Sequence, residues 1–263
     1  MTSTGRSKAE HGRERRRLLR AALATAAGGV LAGCDRLSHD ERAVRVLGSA
    51  EALTREVQRR LTGPALAQEF SPADIAPVFR SNGTTLPGGG YAALARDGFA
   101  NWRLRVEGLV ERPAAFTLAQ LRAMPSRTQI TRHDCVEGWS CIGQWTGVPL
   151  SHVLQLVGAK PQARYVVFHC MDVMTEGDYR VPYYESTDMD EALHPQTLLA
   201  WGLNGGALPI ENGAPLRARI ERQLGYKQPK YLHRVELVDS FAALGRGHGG
   251  YWEDLGYNWY GGI

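Results

Sequence analysis

From residue 101 onward the hydrophobic period keeps switching, and no other feature of the chain excludes so many folds. "NWRLRVEGLV" sets Trp102, Leu104 and Val106 against Arg103, Arg105 and Glu107, the two-residue period of a half-buried strand ending at Gly108. In "TLAQLRAM", Thr117 and Gln120 have capping-box spacing, which predicts a short helix that stops before Pro125. "RTQITRH" reads as a second strand running straight into Cys135. "GVPLSHVLQLVG" reads as a helix, with Pro149 in its first turn and Leu150, Val153, Leu154 and Val157 on one stripe. "ARYVVFHC" is a buried strand, and "RARIE" and "HRVELVD" are further strands of alternating type. Strands and short helices interleave without a fixed spacing, and no internal repeat appears. With 30 glycines and 13 prolines, the chain is loop-rich and not a helix bundle. The prediction is an α+β fold built on mixed sheets.

The 263 residues are 43% hydrophobic and 22% charged, enough for one substantial core plus a tail. The net charge of +4 is misleading: residues 1–34 hold seven Lys/Arg against two Glu, which is +5, leaving −1 for residues 35–263. A near-neutral body gives no argument for nucleic-acid binding. Residues 1–34 have a basic start, an apolar run from Leu18 to Ala32 and small residues at the end, the layout of an export signal. That run is shorter than the roughly twenty residues needed to span a bilayer. Arg15-Arg16 followed by Leu18-Leu19-Arg20 resembles the twin-arginine export motif, which carries folded, cofactor-loaded proteins. "LAGC" resembles a lipoprotein box in which Cys34 would carry a lipid anchor, giving a periplasmic protein tethered to the inner membrane. Residues 35–74 read as a charged, partly helical linker, in which "ALA" is a rival cleavage signal. Residues 75–263 read as a single catalytic domain.

Four cysteines without a CxxC make no disulfide framework, so the thiols must be weighed one by one. Cys135 lies in "HDCVEGWSCIGQWTG", just after a strand and near Gly138, where a rigid scaffold presents chemistry. Three readings of it stand open. A thiolate is a soft ligand for a transition metal. His133, two residues back on the same strand face, could activate it as the nucleophile of a thiol hydrolase. It could also be an inert buried thiol. A zinc site from Cys135, Cys141, His169 and Cys170 matches no common spacing.

"RHDCVEGWSCIGQWTGVPL" resembles the segment around the molybdenum-binding cysteine of the sulfite oxidase superfamily, most of all the branch of periplasmic methionine sulfoxide reductase catalytic subunits. "FRSNGTT", "ESTDMDEALHPQTLLAWGLNGGALPIENGAPLR", "QLGYKQPKYL" and the closing "YWEDLGYNWYGGI" extend the likeness over residues 75–263. The resemblance implies a sulfite-oxidase-like fold and one molybdenum-molybdopterin, with Cys135 as protein ligand to the metal and the catalytic centre. It implies cofactor contacts from Asn82 and Asn212, whose amides donate and accept at once. It also implies contacts from Arg217 and Lys230, as fork and point charge for the cofactor phosphate, and from Gln228. Cys170 falls at a cofactor position where that branch has a threonine, a better hydrogen-bond donor. Trp139, Trp145, Trp252 and Trp259 read as loop packing, His152 as structural, His194 as fixing a turn and Cys141 as inert.

The implied reaction is oxygen-atom transfer on a sulfoxide or another S- or N-oxide. Sulfite oxidation is the alternative within the family, and the Cys135–His133 hydrolase the alternative outside it. No arginine follows Cys135 until Arg164, which argues against a strongly anionic substrate. The chain ends at Ile263, without the extra dimerisation domain of eukaryotic sulfite oxidases, and reads as a monomeric catalytic subunit. Without a haem motif or an iron–sulfur cysteine set it needs a separate electron partner, by analogy a membrane cytochrome b or a cytochrome c.

Overall fold

The computed structural model describes residues 40–63, 65–84 and 86–263. The expected export signal and Cys34 lie outside the described residues. Residues Met1–Leu61 and Thr62–Ile263 form two separate compact units. The first contributes helix α1 (Glu41–Thr62). Asp40 starts it: its Oδ1 accepts from the backbone N–H of Arg42 and Ala43 at 2.9 and 3.0 Å. Among the described residues no helix is long and apolar enough to cross a membrane.

The second unit holds two five-stranded sheets. One has the order β2 (Ala114–Thr117), β1 (Arg103–Gly108), β10 (Leu232–Val238), β5 (Tyr165–Glu176), β6 (Tyr179–Asp188). It is mixed, because β1 and β10 run parallel while the other neighbours are antiparallel. The other sheet is antiparallel: β3 (Arg127–Asp134), β4 (Ser140–Pro149), β7 (Leu198–Leu203), β8 (Gly206–Ala207), with β9 (Arg217–Arg219) also paired to β7. The α+β fold with mixed sheets is therefore as the sequence predicts.

Short helices close the layers. Helix α2 (Gly90–Arg96) buries Tyr91. Helix α3 (Leu118–Ala123) begins with the expected capping box: Thr117 Oγ1 accepts from the Gln120 N–H, and the Gln120 side chain accepts from the Thr117 N–H. Helix α4 (Leu150–Val157) buries Leu150, Val153, Leu154 and Val157. They join Trp102, Leu104, Val106 and Phe168 in the main core. Pro149 sits one place earlier than expected, as the residue before the helix and the last of β4. Helices α5 (Met189–Ala192) and α6 (Tyr251–Asp254) are single turns.

Three long strands, β4, β6 and β7, have no clear counterpart in the pattern of the sequence. Every residue of β7 is buried, so it shows no alternation. Pro182 interrupts β6, which is tolerated because β6 lies at a sheet edge. In β4, Gly147 is required because a Cβ there would run into the Leu199 carbonyl of β7.

Candidate active site

The β3–β4 hairpin delivers Cys135. The Cys135 N–H donates to the Trp139 carbonyl at 2.9 Å, and the Gly138 N–H donates to the Cys135 carbonyl at 3.0 Å. Gly138 has φ +83, a conformation that costs a glycine little and other residues much. Arg132 and Ser140 both hold Asp134 at the neck of the turn. The thiol is 9% exposed. Burial pushes its pKa up, with the Glu137 carboxylate adding to the shift, while the Glu137 and Val136 N–H groups and Arg80 pull it back.

Cys135 faces a cleft with about 710 Å³ of empty space, counting the part open to solvent. Asn82, Gly83 and Thr84 form one wall, and Gln228, Pro229 and Lys230 another. Asp172 and Met174 of β5 with Tyr183 of β6 line the interior, and Trp252 and Tyr257 of the C-terminal segment complete it. Their indole and phenol rings lie 5.3 Å apart, tilted by 30°.

Of the residues singled out in the sequence, Asn82, Cys135, Gln228 and Lys230 meet at this cleft. Cys170, Asn212 and Arg217 are buried among the residues that back it. Lys230 donates to the carbonyls of Asn82 and Thr84 and, at 2.9 Å, to that of Glu211. A lysine has three donors, so Lys230 ties the 82–84 loop to the body. Burial, and next Arg217, lower its pKa to about 7. The Arg217 fork donates at 3.0 Å to the carbonyls of Asn212 and of Gln228, which fixes both segments. Burial, and then Arg219, lower the Arg217 pKa to about 9. Burial, Asp172 and Glu185 push the Cys170 thiol far up, so it stays neutral.

Among the described residues, the buried polar atoms at this site without a hydrogen-bond partner include Asn212 Nδ2 and Asp172 Oδ1. Asp172 is 4% exposed, and burial raises its pKa to about 6. Neither Asp172 nor the Trp252–Tyr257 pair is singled out by the sequence. Asp172 lies inside a strand with nothing local to mark it, and Trp252, though part of an aromatic segment, reads as packing. In the structure Trp252 is a wall of the cleft. Trp145 lies not in a loop but in β4, buried, with Arg217 and Arg219 over its ring at 5.0 and 4.2 Å.

The hydrolase and zinc readings fail on geometry. His133 is fully buried, and its Nδ1 takes a hydrogen bond from Arg219 Nη1 at 2.9 Å. An arginine only donates, so Nδ1 is the bare nitrogen and Nε2 carries the hydrogen, beside the Gln228 amide. Burial, followed by Arg219 and Arg217, pushes the imidazole pKa well down. That ring cannot take a proton from Cys135. His169 is committed to Glu236 and Arg234. Among the described residues no group of three or more His, Cys, Asp or Glu could hold a metal ion. Cys141 is buried against the Val78 carbonyl, 3.7 Å away. His194 bonds the Gln196 N–H, as a turn-fixing residue should.

Residues 92–243 match the family described as oxidoreductase molybdopterin binding domain. A putative protein-methionine-sulfoxide reductase subunit YedZ1 of Azospira oryzae is 43% identical over 198 residues, covering 73% of this chain and 70% of its own. Protein-methionine-sulfoxide reductase catalytic subunits MsrP of Ralstonia nicotianae and Xanthomonas axonopodis are 39% and 38% identical, over 52% and 61% of this chain. The chain spans 44% and 50% of their lengths, about half. Among solved structures, the sulfane dehydrogenase SoxCD of Paracoccus pantotrophus has a TM-score of 0.48 and 25% identity, covering 54% of this chain and 39% of that one. The family match over more than half of its residues, and 43% identity across most of a relative, place this chain among the molybdopterin-binding oxidoreductases, enzymes whose cofactor is molybdenum-molybdopterin.

Proposed function

We propose that the chain is the catalytic subunit of a sulfoxide reductase, with Cys135 as the protein ligand of molybdenum. The observation that carries this is a single thiol held at a rigid hairpin turn, facing a cleft that Asn82, Gln228 and Lys230 also line. The residues present fit the group. Asn212 Nδ2 and Asp172 Oδ1 are a buried donor and a buried acceptor without partners, as a pterin edge needs. Lys230 and Arg217 supply positive charge for a phosphate, although in the structure their donors bond carbonyls. Cys170 supports the cleft from behind as a neutral thiol.

Once bound, the molybdenum centre supplies two-electron oxygen-atom transfer. The chain's own contribution is binding and orientation. Trp252, Tyr257 and Met174 offer an aromatic and thioether wall to the apolar arm of a substrate. The Glu137 carboxylate at the same cleft disfavours an anion. That favours a neutral sulfoxide, of the methionine sulfoxide type, over sulfite. The relatives named methionine sulfoxide reductase support the same choice. The name "subunit" of the Azospira relative supports a separate electron partner, of which a haem protein, a membrane cytochrome b or a cytochrome c, is the class we favour. The basic, apolar start of the sequence supports export to the periplasm and, through Cys34, a lipid anchor.

The test is metal analysis and reduced-dye oxidation with methionine sulfoxide, on protein matured with and without molybdate. Turnover should require molybdenum. Cys135→Ser should keep the fold and lose at least about 100-fold in turnover, since even a residue beyond the ligands costs about 10–100-fold. Full activity in that variant would contradict the assignment.

A further inference from the structure

Behind the cleft lies a cluster that the chemistry above does not use. Lys227 Nζ donates to Glu185 and to Glu253, and all three side chains are at most 2% exposed. Each belongs to a different element that builds the cleft. Glu185 follows Tyr183 on β6. Lys227 ends the turn Gly225–Lys227, just before Gln228. Glu253 lies on α6 beside Trp252. The second oxygens, Glu185 Oε2 and Glu253 Oε2, are both buried with no partner among the described residues. Gly250 lies over the pair so closely that a Cβ there would strike both carboxylates.

Two carboxylates and one ammonium sum to a net buried charge of −1, which a dry interior does not tolerate. One proton held between the carboxylates removes that charge and gives the two orphaned oxygens a hydrogen to share. We propose that Lys227, Glu185 and Glu253 are positioning residues: a proton-holding clasp that fixes the Trp252–Tyr257 wall against the cleft and so sets the grip on the apolar arm of a sulfoxide. This rests on the sulfoxide reading above.

The other groups facing the pair stay neutral. Tyr183 and Tyr184 on β6 and Cys170 on β5 are all shifted upward, chiefly by burial, so they keep their protons. Asp254, next along α6, is bonded separately to Tyr184 Oη at 2.7 Å. Burial, and next the Glu253 charge, hold Glu185 protonated well above the usual carboxylate range. A raised pKa means that the clasp is closed at low pH and opens as pH rises through the folded value.

The measurement is KM and kcat of the holoenzyme from mildly acidic to alkaline pH, with reduced dye, using methyl phenyl sulfoxide and, as a probe without the apolar ring, dimethyl sulfoxide. In the unmodified protein KM for methyl phenyl sulfoxide should rise at alkaline pH while kcat holds. Glu253→Gln offers an amide hydrogen in place of the shared proton, so its KM should stay low and flat with pH. Glu253→Ala should raise that KM about tenfold at every pH, the equivalent of one lost apolar contact. Its kcat and molybdenum content should stay unchanged, with a smaller effect on dimethyl sulfoxide. Acrylamide quenching of tryptophan emission, taken as the difference from a Trp252→Phe background, gives a readout free of turnover. It should increase at alkaline pH in the parent and not in Glu253→Gln. An alkaline rise unchanged in Glu253→Gln, or Glu253→Ala with unaltered KM and quenching, overturns the clasp. If the molybdenum-loaded protein reduces no sulfoxide, the proposed function falls, while the quenching still decides whether the clasp exists.

Discussion

At Cys135 and Asp172 the same physics is used for different ends. Both are buried and both have raised pKa values, chiefly from desolvation. Cys135 lies in a turn that a reader of the sequence can find, because Gly138 and the preceding strand mark it. Asp172 lies in mid-strand, and its importance shows only once Thr84 and Lys230 are seen around it. Its folded pKa of about 6, above the ordinary aspartate value of 3.8, sets a sign. The native state holds the proton more tightly, so stability is full below the ordinary carboxylate range and falls as pH rises through about 6. Asp172→Asn removes that dependence. In cofactor-free protein its stability relative to the parent should rise between acidic and neutral pH, by about 3 kcal/mol at most for a two-unit shift. Denaturant unfolding at the two ends of that range measures it, and parallel pH profiles for the two proteins would refute the assignment.

Elements whose two faces differ were legible. The stripe of α4 and the alternation of β1 show in the sequence because one side meets the core and the other does not. The capping box at Thr117 shows because it is a purely local exchange of hydrogen bonds. Thr117→Ala should therefore cost about 1 kcal/mol. Leu154→Ala, in the fully buried stripe of α4, should cost about 2–5 kcal/mol through lost transfer energy and the cavity left behind. Urea midpoints of the two variants should keep that order, and equal costs would mean that α4 is less tightly packed than the structure shows. Strand β7 was illegible for the opposite reason: burial on both of its faces erases the alternation that identifies a strand.

For the whole molecule, the cleft is assembled from chain segments far apart. Lys230 holds the carbonyl of Asn82 across 148 positions. Much of the cleft wall lies outside the sheets, in the 82–84 loop, the 225–230 segment and the C-terminal stretch that begins with α6. A cofactor buried among them binds the folded state alone, so it should stabilise the second unit by mass action. Protein matured with molybdate should melt several degrees above protein starved of it, since about 1 kcal/mol shifts Tm by roughly 2–4 °C at this size. Calorimetry of the two preparations would show identical transitions if the cleft bound nothing.

The sequence by itself determined the α+β character, the half-buried elements and the turn that carries Cys135, because these depend on neighbours within a few positions. It also carried the family likeness, in motifs long enough to be read without coordinates. Only the tertiary structure decided what His133 does, which walls the cleft has, and that Lys227 gathers two acids behind it. Those facts depend on burial and on charges brought together from distant parts of the chain, and desolvation acts on a group according to what packs around it, not according to its place in the sequence.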